Sequence, residues 1–158
     1  IYSLKTSFNA FEADRTLSNL EVVRTDWKAA YSAWQTIKIY DFGPITNNGF
    51  KSATGTFPSD VAQIQGNILN GGYNLASASN VDAIGLSALD YLFYQVSALN
   101  DFVNDESYTI YTSELIEKMV SESSVVKSDW TSYRGIFIAA TGTETTSAFS
   151  SNEVKIIE

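Results

Sequence analysis

The stretch Leu20–Ile37, LEVVRTDWKAAYSAWQTI, decides the fold class. Its residues Leu20, Val23, Trp27, Ala30, Trp34 and Ile37 recur at alternating spacings of three and four, which lines all of them along one stripe of an α-helix. A half-buried strand would instead alternate at every second position. Ser18 or Asn19 is placed to cap the start of this helix, and Glu21 falls near its positive N-terminal end.

Ahead of this helix, Leu4, Phe8 and Phe11 form a shorter stripe, and Thr16 to Asn19 reads as a tight helix–helix turn. Behind it, from Asp41 to Pro58, the period is lost among Gly43-Pro44, Asn47-Asn48-Gly49 and Gly55, which reads as a long ordered loop. Ser59-Asp60 then caps a short helix carrying Val61, Ile64 and Ile68, stopped by Gly71-Gly72 because glycine readily takes the left-handed conformation at a helix end. Tyr73 to Asn80 reads as connector.

A third long helix is expected from Val81 or Asp82 to Ala98, with Leu86, Leu89, Leu92 and Phe93 on its apolar side. Gly85 falls in its first turn, where glycine costs ~1 kcal/mol relative to alanine, so a close packing or ligand approach is expected there. After a loop at Asn100 to Asp105, the longest pattern runs through Leu115, Ile116, Met119, Val120, Val126, Trp130, Tyr133 and Phe137 at near-heptad spacing, with Gly142 as its stop. The Ser/Thr-rich stretch from Thr143 to Ser151 carries no apolar period. The expected architecture is all-α, an up-and-down bundle of three or four main helices over residues 1–142, with 143–158 a loosely ordered tail or the start of a second half.

At 158 residues the chain is long enough for one domain with a real core, and no window reaches the ~20 apolar residues of a membrane-spanning helix. Ten Lys and Arg face 18 acidic residues, for a formal charge of −8, which argues against nucleic acid as a partner. There is no cysteine and no histidine, so thiolate chemistry, imidazole–zinc sites and histidine general bases are excluded within this sequence. The chain opens at Ile1 in mid-helix pattern, from which a processed or truncated chain is expected.

Three motifs in order carry a family resemblance. Trp27 to Gly43, WKAAYSAWQTIKIYDFG, followed by Pro44, resembles the first signature of the imelysin family, two tryptophans on a helix leading to an aromatic turn ending in Gly-Pro. Gly85 to Phe93, GLSALDYLF, is similar to the family's central Gly-x-His-x-x-Glu motif, and Ser128 to Ser151 resembles the family's helix bearing Trp and Tyr-Arg that passes into a Thr-Gly-Thr-Ser stretch. Ser87 stands where the motif has histidine and Asp90 where it has glutamate, so imidazole and carboxylate are replaced by a hydroxyl and a shorter carboxylate. The resemblance implies two helical bundles with a cleft between them, of which this chain covers the first.

The candidate ligand-binding residues are Gly85, Ser87, Asp90, Asp41 and Tyr40, with Asp90 the candidate metal ligand. Ser87 and Asp90 are three apart and share a helix face; the alternative is that Asp90 bonds a neighbouring backbone and Ser87 permits close packing. Tyr40, Asp41 and Phe42 lie in a loop where a carboxylate among aromatics suits a ligand, or where Asp41 simply caps a turn. Trp27, Trp34 and Trp130 read as core, Asp129 and Arg134 as ion-pair partners of neighbouring helices, and the glycine pairs as punctuation, since neither has a phosphate-loop order.

The resemblance implies an extracytoplasmic protein, periplasmic or a cell-surface lipoprotein, that binds a small ligand or a metal ion in the inter-bundle cleft. Iron or calcium would suit aspartate oxygen, with a link to iron uptake. The alternatives are a metallopeptidase drawing on residues outside this chain, and a non-catalytic interaction module that meets an outer-membrane partner. Without histidine the chain has no His-x-x-Glu or His-Glu-x-x-His motif, so intrinsic peptidase activity is not expected.

Overall fold

The computed structural model describes residues 1–139, and every regular element among them is helical. Helix α1 (Tyr2–Ala13) turns back through Asp14 into α2 (Leu17–Ile37), and the stripe read from the sequence faces inward, with Leu20, Val23, Ala30 and Trp34 buried. The cap is Thr16, whose Oγ1 accepts the Asn19 N–H at 3.3 Å, so Asn19 is the capped donor rather than the cap. Asn19 secures the turn from its other end by donating to the Asp14 carbonyl at 2.7 Å.

Four helices close a ring around the core. Helix α1 packs on α2, α2 on α6 (Gly85–Tyr94), α6 on α8 (Glu106–Ala139), and α8 returns to α1. Inside lie Leu4, Phe8 and Phe11, the inner stripe of α2, Leu86, Leu89, Leu92 and Phe93, and Leu115, Ile116 and Met119. At one end Phe8, Phe11, Phe93 and Phe102 meet edge to face or tilted with centroids 5.3–6.3 Å apart, the arrangement ring quadrupoles favour.

The segment read as a loop, Asp41 to Pro58, holds two short helices, α3 (Pro44–Asn47) and α4 (Phe50–Gly55). Pro44 occupies the first helical position, where its missing N–H costs nothing, and Gly49 links the two helices at φ 62°. Phe50 then packs against Trp34 at 5.7 Å, so the segment is tied to the core by tertiary contact that local turn chemistry conceals. Helix α5 (Val61–Asn70) forms as read, with Asp60 Oδ1 accepting the Gln63 N–H at 2.9 Å and Gly71 ending it at φ 61°.

The expected single helix from Val81 to Ala98 is instead divided into a 3-10 turn (Ala78–Ala83), α6 and α7 (Ala98–Asn104). Gly85 has φ +77°, which a right-handed helix interior does not accommodate, so α6 begins there. Asn100 to Asp105, read as loop from its polar residues, lies mostly in α7, held by buried Phe102 and by Arg15 Nη1 donating to the Phe102 carbonyl at 2.8 Å. Ile37 is 41% exposed, since the stripe leaves the core at the last turn of α2. The expected stop at Gly142 and the tail lie outside the described residues.

Candidate functional site

The motif helix α6 is gripped at both ends. A β-carbon on Gly85 would lie 2.7 Å from the Thr54 carbonyl oxygen and 2.9 Å from that of Ala53, so the α4 backbone seats directly on the start of α6. Of the close packing or ligand approach expected for an early glycine, the described residues supply the packing. Trp27 Nε1 donates to the Leu86 carbonyl at 3.0 Å, and Arg24 Nε and Nη2 donate to the Phe93 carbonyl at 2.8 and 2.6 Å, while Arg24 also pairs with Glu21. Trp27 therefore serves the core stripe from its edge, half buried, with its indole nitrogen committed to α6.

On the outward face of this anchored helix, Ser87 is half buried and Asp90 is exposed, and neither side chain makes a hydrogen bond or ion pair among the described residues. Among the described residues no neighbouring backbone group hydrogen-bonds to Asp90, which was the alternative stated for it. Packing around its flank desolvates the carboxylate and raises its pKa above the ordinary aspartate value. Where α4 meets Gly85 at the start of α6, the Thr54 hydroxyl is buried with no partner among the described residues.

Asp41 is occupied otherwise. It accepts from Thr46 Oγ1 at 3.2 Å and from Lys51 Nζ at 2.9 Å, closing the turn between α2 and α4, and Tyr40 is exposed with its ring edge-on to Phe42 at 6.4 Å. Among the described residues no hydrogen bond or ion pair joins this pair to Ser87 or Asp90. Asp129 meets Asn48 Nδ2 at 2.9 Å instead of a cation, and Arg134 makes no ion pair among the described residues. Trp130 is half buried, packed between Phe42 at 5.6 Å and Phe137 at 6.0 Å at the outer end of α8.

A second feature lies where the sequence reads as connector. The segment from Asp60 to Asn80 walls an open cleft of 670 Å³ between α5 and the 3-10 turn. Behind it runs a hydrogen-bond chain whose direction is set at its inner end: the Ala83 carbonyl can only accept, so the Tyr111 hydroxyl donates to it at 2.6 Å. Tyr111 in turn accepts from Asn67 Nδ2 at 3.2 Å, and the Asn67 and Asn80 carbonyls accept from Gln63 Nε2 at 2.8 and 3.2 Å. Gln63 Oε1 is left as an acceptor without a partner among the described residues. Burial raises the Tyr111 pKa, keeping the hydroxyl protonated as this chain requires. The density of Gln63, Asn67, Asn70, Asn74 and Asn80 was the available signal for this cleft.

Among the described residues no three His, Cys, Asp or Glu side chains come together as a cation site, and no helix is long and apolar enough to cross a membrane. Compared with known proteins, residues 1–154 match the family model described as Imelysin, Peptidase_M75. Over 57 residues, 36% of this chain, the sequence is 32% identical to a protein named "Iron-regulated protein A" from Synechococcus elongatus, a match covering 16% of that relative's length. No solved structure matches. A family match across nearly the whole chain, with the motif glycine packed on α4 and the motif helix locked to α2, places this chain in the imelysin family.

Proposed function

We propose that this chain is the first helical bundle of an extracytoplasmic imelysin-family binding protein connected with iron handling, and that it has no peptidase activity of its own. The observation that carries this reading is Asp90: a carboxylate without a partner among the described residues, presented at the motif position on a helix that Gly85, Trp27 and Arg24 hold in place. A carboxylate open to solvent on a rigidly held helix suits ligand binding, since little ordering is needed to present it. The likeness to a relative named for iron regulation supports an iron-linked ligand, and aspartate oxygen suits ferric iron or calcium.

Ser87 and Asp90 offer two oxygen groups, fewer than the roughly 6–8 that calcium takes, so the pair does not by itself make a metal centre. The remaining ligands would come with the cargo, as in a chelated cation, or from polypeptide beyond these residues. Peptide hydrolysis is disfavoured by the same chemistry, because a serine at the motif's histidine position supplies no imidazole to hold zinc or take a proton.

A thermal-shift titration of the chain against ferric citrate, calcium and zinc, with citrate and a chelator as controls, tests this. A site filled to ~100 times its dissociation constant adds about 2.7 kcal/mol. Stabilisation of the parent by one cation, absent from Asp90→Ala, supports the reading. No shift in either protein rejects it, in favour of an interaction module that uses exposed Ile39, Tyr40, Ile136 and Ile138 around the Phe42–Trp130 contact.

A further inference from the structure

The cleft beside α5 has a chemistry of its own. Among the described residues no lysine or arginine lines it, which leaves nothing there to balance a phosphate or carboxylate, and the one carboxylate among them, Asp60, is engaged as the α5 cap. One carboxylate does not hold a divalent cation. The walls are carboxamides and hydroxyls, so an apolar ligand would leave them unsatisfied.

What the walls offer is a set of neutral donors and acceptors in fixed positions. Asn67 and Asn80 are 4% and 5% exposed and locked to one another at 2.8 Å, so the side chains in front of them are held by a rigid layer. The Gln63 Oε1 acceptor and the N–H groups of Gly72 and Tyr73 have no partner among the described residues. Gly66, Gly71 and Gly72 leave bare backbone along the cleft, with open space where each β-carbon would stand. Tyr73 adds an aromatic ring, fixed edge-to-face on Tyr111 at 5.0 Å.

We propose that this cleft is a binding site for a neutral saccharide. Each sugar hydroxyl both donates and accepts, matching a wall that mixes carboxamide oxygens with N–H groups. A pyranose also has apolar C–H faces that pack on an aromatic ring and on side-chain-free glycine backbone. The volume falls within the roughly 300–1,000 Å³ of small-ligand sites. An extended peptide would offer similar groups, but it is usually captured along a free sheet edge, and no strand occurs among the described residues.

The test is saturation-transfer NMR and calorimetry on the whole chain with maltotriose, cellotriose, xylotriose and chitotriose, an oligogalacturonate as the anionic counterpart, and tetraglycine. Gly66→Leu is the blocking variant: Gly66 lies within α5 and its β-carbon position is open, so the leucine enters the cleft without a clash and with better helix propensity. At least one neutral trisaccharide is expected to saturate the parent, with affinity at least ten-fold weaker in Gly66→Leu, whose melting temperature stays at or above that of the parent. Absence of saturation by every neutral sugar, undiminished binding in the variant, or preference for oligogalacturonate or tetraglycine overturns the proposal.

Discussion

The α-carbon of Gly85 lies so close to Thr54 that a β-carbon would come within 2.7 Å of the Thr54 carbonyl oxygen, and the glycine holds φ at +77° to allow it. Backbone presses on backbone here, so no side-chain rotation relieves an added methyl group. Gly85→Ala therefore combines left-handed strain with a clash, and about 2–5 kcal/mol of stability should be lost. Urea unfolding followed by circular dichroism reads this as a lower midpoint at unchanged slope. Gly135→Ala is the contrasting variant: its β-carbon meets nothing in an exposed part of α8, and it should gain about 0.5–1 kcal/mol from helix propensity. Equal effects of the two variants would contradict this account of Gly85.

The hydroxyl of Tyr111 is the inner terminus of the carboxamide chain, and its ring is fully buried. Tyr111→Phe keeps the ring and removes the hydroxyl, leaving the Ala83 carbonyl and one Asn67 N–H without their partner. A loss of about 1–3 kcal/mol is expected, the cost of buried groups left unpaired. Hydrogen exchange should also quicken in α5 and the 3-10 turn more than in α1 and α2. A uniform change across the bundle would mean that the chain of bonds is not a local organiser.

Arg24 and Arg15 each close the C-terminal end of another helix, reaching the carbonyls of Phe93 in α6 and Phe102 in α7. Arg24 does so with two nitrogens at 2.8 and 2.6 Å, a fork that lysine cannot reproduce. Arg24→Lys and Arg24→Ala should both destabilise, by about 1–3 kcal/mol for the alanine variant. Lys5→Ala, which removes only the exposed pair with Glu117, should cost no more than about 0.5 kcal/mol. Thermal melts of the three variants under one buffer rank them, and a Lys5→Ala loss as large as that of Arg24→Ala would refute the capping role.

The parts legible in the sequence were those governed by local period. Leu20, Val23, Ala30 and Trp34 are buried because a three-four stripe on a long helix has one way to face a core, and Asp60 and Gly71 bound α5 because cap chemistry is local. Helices α3, α4 and α7 were read as loops because they are short and glycine, asparagine and aspartate lie in or beside them, while what holds them is tertiary: Phe50 on Trp34, and Phe102 among three phenylalanines. The family motif was visible at Gly85, Ser87 and Asp90, and so was the need for close packing at the glycine, but not the partner, since Thr54 is distant in sequence. The α5 cleft was hidden for the same reason. Asn67, Asn80 and Tyr111 meet only through folding, and each alone reads as turn former or core ring.

The pH dependence of stability isolates Asp90. Burial of its flank raises its pKa, so the folded chain holds that proton more tightly than the unfolded chain does. The resulting stabilisation is fully present below the unfolded value of about 3.9 and is lost as pH rises through the folded pKa. Asp90→Asn cannot ionise, so its stability relative to the parent should climb across that window and level off above it. Denaturation midpoints of both proteins from pH 3 to pH 8 provide the comparison, and a constant difference would show that Asp90 carries no burial cost. The same cost bears on binding. A cation at Asp90 favours the ionised form, so saturating ferric citrate or calcium should flatten the parent's decline while leaving Asp90→Asn unchanged. Identical curves with and without the cation would separate the partly desolvated carboxylate from any role in holding a ligand.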